Sequence, residues 1–250
     1  MLSGIDLNLL FTFPFKDAES RRYFLIGCLV SLAGFIVPIL PYFVLYGYAI
    51  RIAKQIMNNE EPHMVAWDDW EGMFKDGAKL FGIRMIYSLP IFILFIPLFM
   101  SMFAMPILAS TASSSELDTI FPIFMLLGIG TMCVLIPISL PLTIITPAAE
   151  MYVADKDEFA AGFRIREWWT IFQANIGGFV AAYAIFYLSS LVLTFAIQIV
   201  VATLIFACLL FFLVPAITPY IILIKYAVVA QVYKASKEKL TQSEIAEAAA

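Results

Sequence analysis

Four long stretches of this chain carry no charged side chain: no Asp, Glu, Lys or Arg occurs in residues 23–50, 85–115, 119–149 or 177–224. About 20 apolar residues cross a bilayer as α-helix, so each of the first three stretches is long enough to span once. The fourth is 48 residues long. It needs two crossings, with a turn near residues 198–203. Only 14% of the chain is charged and 62% is hydrophobic, against about 25% charged in a soluble domain. The chain reads as an integral membrane protein.

Paired prolines recur inside these stretches, as Pro38-Ile39-Leu40-Pro41, Pro137-Ile138-Ser139-Leu140-Pro141 and Pro215-Ala216-Ile217-Thr218-Pro219. Aligned on the second proline, the following segments begin apolar, carry Ala49, Ala149 and Ala227 at one position, and then meet charge. Such self-similarity points to a repeated architecture. Proline removes a helical hydrogen-bond donor and clashes with the preceding turn, so each pair is expected to break or bend its helix.

Between the apolar stretches lie two amphipathic segments. Trp67, Trp70, Phe74, Ala78 and Phe81 recur at helical spacing opposite Asp68, Asp69, Glu71, Lys75 and Lys79. Ile165, Trp169, Phe172 and Ile176 form a second stripe within about residues 157–176, with Asp155 and Glu158 spaced as a capping box. Trp70 and Phe74 match Trp168 and Phe172 at an offset of 98. Tryptophans opposite a charged face are expected to lie at a membrane–water interface, so Trp67, Trp70, Phe74, Trp168, Trp169 and Phe172 are the candidate anchors. Phe15-Lys16-Asp17 repeats Phe74-Lys75-Asp76, with Leu7, Leu9, Leu10, Phe11 and Phe13 ahead of it.

The expected fold is an all-α helical bundle of six membrane segments, built from three Pro-broken hairpins with interfacial amphipathic helices. The repeat-like units are 7–57, 64–155 and 158–236, in a single membrane domain over 1–240 with a short tail at 237–250. This arrangement places all fifteen Lys and Arg residues on one side or at its boundary, which marks that side as cytoplasmic. The alternative is five segments, with residues 24–57 as one kinked span. That would put Lys16, Arg21 and Arg22 outside.

Several chemistries are not indicated. The net charge of −4 does not suit a nucleic-acid partner. No basic region precedes the first apolar run, so the start does not read as a secretory signal. Cys28, Cys133 and Cys208 lie far apart and His63 is the sole histidine, so no metal or cofactor site is expected. No phosphate loop, nucleophile elbow or zinc-protease motif occurs. Glu60-Glu61 and Asp68-Asp69 suit solvated or capping roles, and Thr241 with Glu244 suits a cap on a short tail helix. Arg84, Glu150 and Lys225, at the edges of apolar runs, are the candidate intramembrane polar cluster. They either snorkel to the boundary or pair inside the bundle.

Phe13-Pro14-Phe15-Lys16-Asp17, Ile26-Gly27, the Pro38-Ile39 break, Tyr46-Gly47-Tyr48 with Arg51, and Trp67-Asp68-Asp69-Trp70 with Phe74 make a distinctive series. Ala161-Gly162-Phe163-Arg164-Ile165, Trp168 and Ala174-Asn175 continue it. The series resembles the prokaryotic multi-pass membrane family known as domain of unknown function 4013. That resemblance implies a polytopic fold in a bacterial or archaeal cell membrane, and no activity.

Three functional classes follow. A structural, membrane-shaping or partner-binding scaffold is favoured, its partners being the lipid bilayer and a membrane protein or second copy. A small-solute transporter or channel with a polar path near Arg84, Glu150 and Lys225 is the alternative. An enzyme is not expected, because no acid, base and nucleophile converge.

Overall fold

A computed structural model describes residues 7–111, 113–202 and 209–248, and these are helical almost throughout. Helix α1 (Leu7–Thr12) and a 3₁₀ turn (Phe13–Phe15) lead into α2 (Ala18–Ala33) and α3 (Leu40–Met57). Long helices α4 (Trp70–Thr111) and α5 (Ser114–Lys156) follow, then a 3₁₀ turn (Phe159–Phe163), α6 (Ile165–Ala174), α7 (Ile176–Ala202) and α8 (Leu210–Ala248). Four segments, Trp70–Leu108, Glu116–Lys156, Ile176–Ile199 and Leu210–Ala248, are long and apolar enough to cross a membrane. Helices α2 and α3 are not among them. They pack on each other and on α8, joined through residues 34–39.

The chain divides into two compact units: Met1–Ile83 with Pro147–Ala250, and Arg84–Thr146. In the first, the core gathers where the apolar stretches meet charge. Tyr48, Ala49, Ile52 and Ala53 of α3, Met73, Leu80 and Ile83 of α4, Ala148 to Val153 of α5, and Tyr226 to Ala230 with Val232 and Tyr233 of α8 are all buried. The aligned Ala49, Ala149 and Ala227 are 1%, 0% and 0% exposed. The N-terminal segment belongs to this core: Leu10 and Phe13 are buried, and the Tyr220 hydroxyl donates to the Phe11 carbonyl at 3.2 Å. By contrast Phe195, Ile199, Phe211 and Phe212 are exposed, the surface expected to face lipid.

The second unit holds the remaining lengths of α4 and α5. Its connection is capped by Glu116, which accepts from the Ser113 N–H at 2.7 Å and the Ser113 hydroxyl at 2.8 Å. An open apolar groove between the two helices is lined by Leu94, Pro97, Ile123, Leu127, Gly130 and Val134 among others.

Several local expectations are corrected. Pro38 and Pro41 do flank a break, but Pro137 and Pro141 lie inside continuous α5, and Pro215 and Pro219 inside continuous α8. Neighbouring hydroxyls of Ser139, Thr143 and Thr218 donate one turn back to main-chain carbonyls, so they need no water in these apolar lengths. The segment around 67–81 is no separate surface helix, because α4 runs unbroken from Trp70 to Thr111. Asp155 does not open the second amphipathic helix. It closes α5, and α6 begins only at Ile165. Thr241 and Glu244 start no helix either: Thr241 lies within α8 and donates to the Lys237 carbonyl at 3.1 Å. Helix α7 continues through 198–202, where the turn was expected, while 203–208, including Cys208, lie outside the described residues.

Candidate functional site

Where α5 and α8 leave their apolar stretches, carboxylates on one meet tyrosines on the other. Glu150, 1% exposed, accepts a hydrogen bond at 3.0 Å from the hydroxyl of Tyr226, itself 1% exposed. Two helical turns along α8, the Tyr233 hydroxyl donates to Asp155 at 3.2 Å, and Lys237 reaches the same carboxylate at 3.0 Å. Lys225 is half-buried, its Nζ 5.6 Å from the Phe186 ring centre and 5.7 Å from that of Tyr226. Tyr226 therefore contacts both Glu150 and Lys225, one by its hydroxyl and the other by its ring face. Arg84 is half-buried on α4, at the start of the second compact unit. Tyr226 and Tyr233 escaped the sequence analysis because aromatic residues in an apolar run look like core, and their hydroxyls carry no pattern.

A buried carboxylate is held by its hydrogen bonds, and removing a donor leaves it uncompensated. Tyr226→Phe is expected to cost about 1–3 kcal/mol. Glu150→Lys is expected to cost more and to abolish accumulation of folded protein. The double variant Glu150→Lys, Lys225→Glu tests direct pairing: recovery of yield supports it, and a yield no better than the worse single variant excludes it.

Around this seam runs a lattice of ion pairs that ties the helix ends together. Arg51 of α3 meets Asp69, ahead of α4, at 2.5 Å, and Asp69 caps α4 by accepting the Gly72 N–H at 2.9 Å. Lys54 of α3 meets Asp157 at 2.5 Å, and Lys79 of α4 donates to the Asp157 carbonyl at 3.2 Å. Asp157 stands at φ 55°, and this left-handed turn presents its side chain to α3 and its carbonyl to α4. Lys239 of α8 donates to Asn175 at 2.8 Å, fixing the α6–α7 corner. Among the described residues, no buried side-chain nitrogen or oxygen lacks a partner, and no group of three or more His, Cys, Asp or Glu is placed to hold a metal.

The Arg51 side chain first, and then the Gly72 N–H, hold the Asp69 carboxyl below the usual carboxylate range. The Ser20 N–H, donating at 2.6 Å to the side chain of Asp17 at the start of α2, does the same there. A depressed folded-state pKa contributes stability above the unfolded value, which is lost as pH falls through the folded one. Thermal stability in detergent is expected to decline below about pH 4. Asp69→Asn should start lower at neutral pH and decline less steeply. An identical slope in the variant would remove Asp69 from the account.

The six expected interface anchors divide. Trp67, Trp168 and Phe172 are buried, Trp169 is half-buried, and Trp70 and Phe74 are exposed. Trp67 stacks on Tyr48 with centroids 4.1 Å apart and donates its indole N–H to the Tyr23 carbonyl at 2.9 Å. Trp168 donates to the Gly162 carbonyl at 3.1 Å. Both satisfy their polar handle inside the protein, so neither needs an interface. The exposed aromatic surface at this level is instead Trp70, Phe74, Phe159 and Phe163, with Ile165 beside it. Phe159 and Phe163 were missed because the turn that presents them is too short to show a helical period.

A family described as "Protein of unknown function (DUF4013)" has a model that matches residues 29–206. No curated protein and no solved structure matches the chain.

Proposed function

The chain belongs to the DUF4013 family of proteins of unknown function, and from that premise we propose that it is a non-catalytic membrane scaffold. Its apolar helices anchor it in the cell membrane, and its polar end, turned to the cytoplasm, seats a partner or shapes the bilayer. The observation that carries this reading is where the packing lies. Helix ends from α3, α4, α5, α6 and α8 are locked by buried tyrosines and ion pairs into a rigid polar end. The apolar lengths of α4, α5 and α7 hold almost no buried residue. That division suits a body that is fixed at one face and solvated by lipid elsewhere. Trp70, Phe74, Phe159 and Phe163 supply aromatic surface for the boundary.

A second reading rests on Glu150. A buried carboxylate in a membrane-spanning helix is by default a functional candidate, and a polar path past Glu150, Tyr226 and Lys225 would serve a small-solute transporter. Reconstitution into vesicles of uniform size separates the two. The scaffold reading expects protein-dependent tubulation or a change in vesicle diameter, without solute flux. A solute flux that Glu150→Gln abolishes would overturn it in favour of transport.

A further inference from the structure

The reversal between α2 and α3 meets nearly all of its main-chain N–H groups from within. Of its main-chain N–H groups, Gly34 donates to Ser31, Phe35 to Leu32, and Ile36 and Val37 to Ala33. Leu40 donates to Pro38 and Tyr42 to Ile39. Pro38 and Pro41 have no N–H to satisfy. Over residues 34–42 this leaves only the N–H of Ile39 without a main-chain acceptor. The closure includes a γ-turn at Ile39, whose φ of 77° and ψ of −53° belong to the strained positive-φ form. An ordinary surface loop leaves such groups to water and has no reason to adopt so costly a turn. A reversal in hydrocarbon must satisfy them internally.

The side chains agree with the backbone. Ile36 is 85% exposed, and Phe35, Val37, Ile39 and Leu40 are exposed beside it. No charge occurs anywhere in 23–50. This surface is also continuous with one that is apolar enough to face lipid: Phe35 stacks on Phe211 near the start of α8, with centroids 5.0 Å apart, and Phe212 next to it is 67% exposed. The arms are short for a full crossing. Their 16 and 18 residues make about 24 and 27 Å of helix, against about 30 Å of hydrocarbon.

We propose that α2 and α3 form a re-entrant hairpin whose 34–39 turn lies within the hydrocarbon and contacts lipid acyl chains, never emerging on the far side. The proposal rests on the reading that both arms enter from the cytoplasmic face. It assigns the turn a lipid partner, and makes the hairpin a wedge inserted from one side.

The test uses the full chain, with its cysteines replaced and Ile36→Cys introduced. The thiol is labelled with bimane in detergent and the protein is reconstituted into phosphatidylcholine vesicles. Nitroxide on lipid acyl chains is expected to quench this probe severalfold more than aqueous iodide does. Quenching mainly by iodide would show a turn that emerges into water. Quenching by neither would show a turn covered by protein, such as a second copy. Either result overturns the proposal. Ser113→Cys, in the exposed α4–α5 connection, and Ser243→Cys, near the end of α8, report separately on the one-sided arrangement. Impermeant maleimide on intact cells is expected to label Ser113→Cys alone. Labelling of Ser243→Cys would sink the parent reading whatever the turn does.

Discussion

Gly47→Ala and Gly77→Ala are each expected to destabilise the protein by about 3 kcal/mol, whereas Gly130→Ala and Gly177→Ala leave it unchanged. Helices α3 and α4 cross where these first two glycines face each other. A methyl on Gly47 would fall onto the Met73 carbonyl, and one on Gly77 onto the Phe43 carbonyl. A crowded side chain can change rotamer, but a helical carbonyl cannot move without its helix. Either methyl therefore pushes α3 and α4 apart along the whole crossing and loosens Met73 and Tyr48, both now buried. Nothing lies within 4 Å of a Cβ added at Gly130 or Gly177, so the same substitution there meets only lipid or solvent. Once one methyl has separated the helices the second costs less, so the double variant should fall well short of the sum. Thermal unfolding of the purified variants in one detergent measures all five. If Gly47→Ala melts with the wild type, the close crossing does not exist in the protein.

That crossing also shows where sequence patterning stops. Three of the four uncharged runs, 85–115, 119–149 and 177–224, coincide with helices long and apolar enough to cross a membrane, whereas the first, 23–50, folds into the shorter α2 and α3. The face that α4 buries was not picked out at all. The large residues Trp67, Trp70, Phe74 and Phe81 were expected at a membrane–water interface, and the stripe buried in the protein is Met73, Gly77, Leu80 and Ile83. Phe74 and Phe81 instead flank the contact, against Phe43. In a chain that is apolar on every side, hydropathy cannot distinguish a protein-facing stripe from a lipid-facing one. Close approach is signalled by small residues, and glycine has no hydrophobic weight. The prolines misled for a related reason. A helix among apolar neighbours tolerates proline that would end a helix in water, because packed neighbours and small local adjustments of the helix absorb the defect. Only at Pro38, where Gly34 precedes it and Pro41 follows, does the chain turn back. Glu150 was legible as a charge at an apolar edge, but its partner Tyr226 was not.

Trp168→Ala is expected to cost about 3–5 kcal/mol, and Trp70→Ala to stay within about 0.5 kcal/mol of the wild type, in the same micelle. The contrast decides what these tryptophans are for. If they were interface anchors, both losses would be modest in detergent and would grow together in a bilayer. The structure separates them by environment. Trp168 is 2% exposed, closes the 3₁₀ turn through the Gly162 carbonyl, and adjoins Trp169 at 6.0 Å, while Trp70 is 45% exposed at the start of α4. Truncating Trp168 leaves a cavity the size of an indole and removes a hydrogen bond to the Gly162 carbonyl, two losses that no lipid relieves. Trp168→Phe should recover the packing but not the hydrogen bond, and so fall between wild type and Trp168→Ala. Trp67→Ala should behave like Trp168→Ala, because Trp67 covers Tyr48, whose hydroxyl donates to the Val65 carbonyl at 2.8 Å and accepts its N–H at 2.9 Å. Trp70→Ala should show its effect only in lipid, as a change in the depth or tilt of α4. Equal losses at Trp70 and Trp168 in detergent would return Trp168 to the interface and remove it from the core.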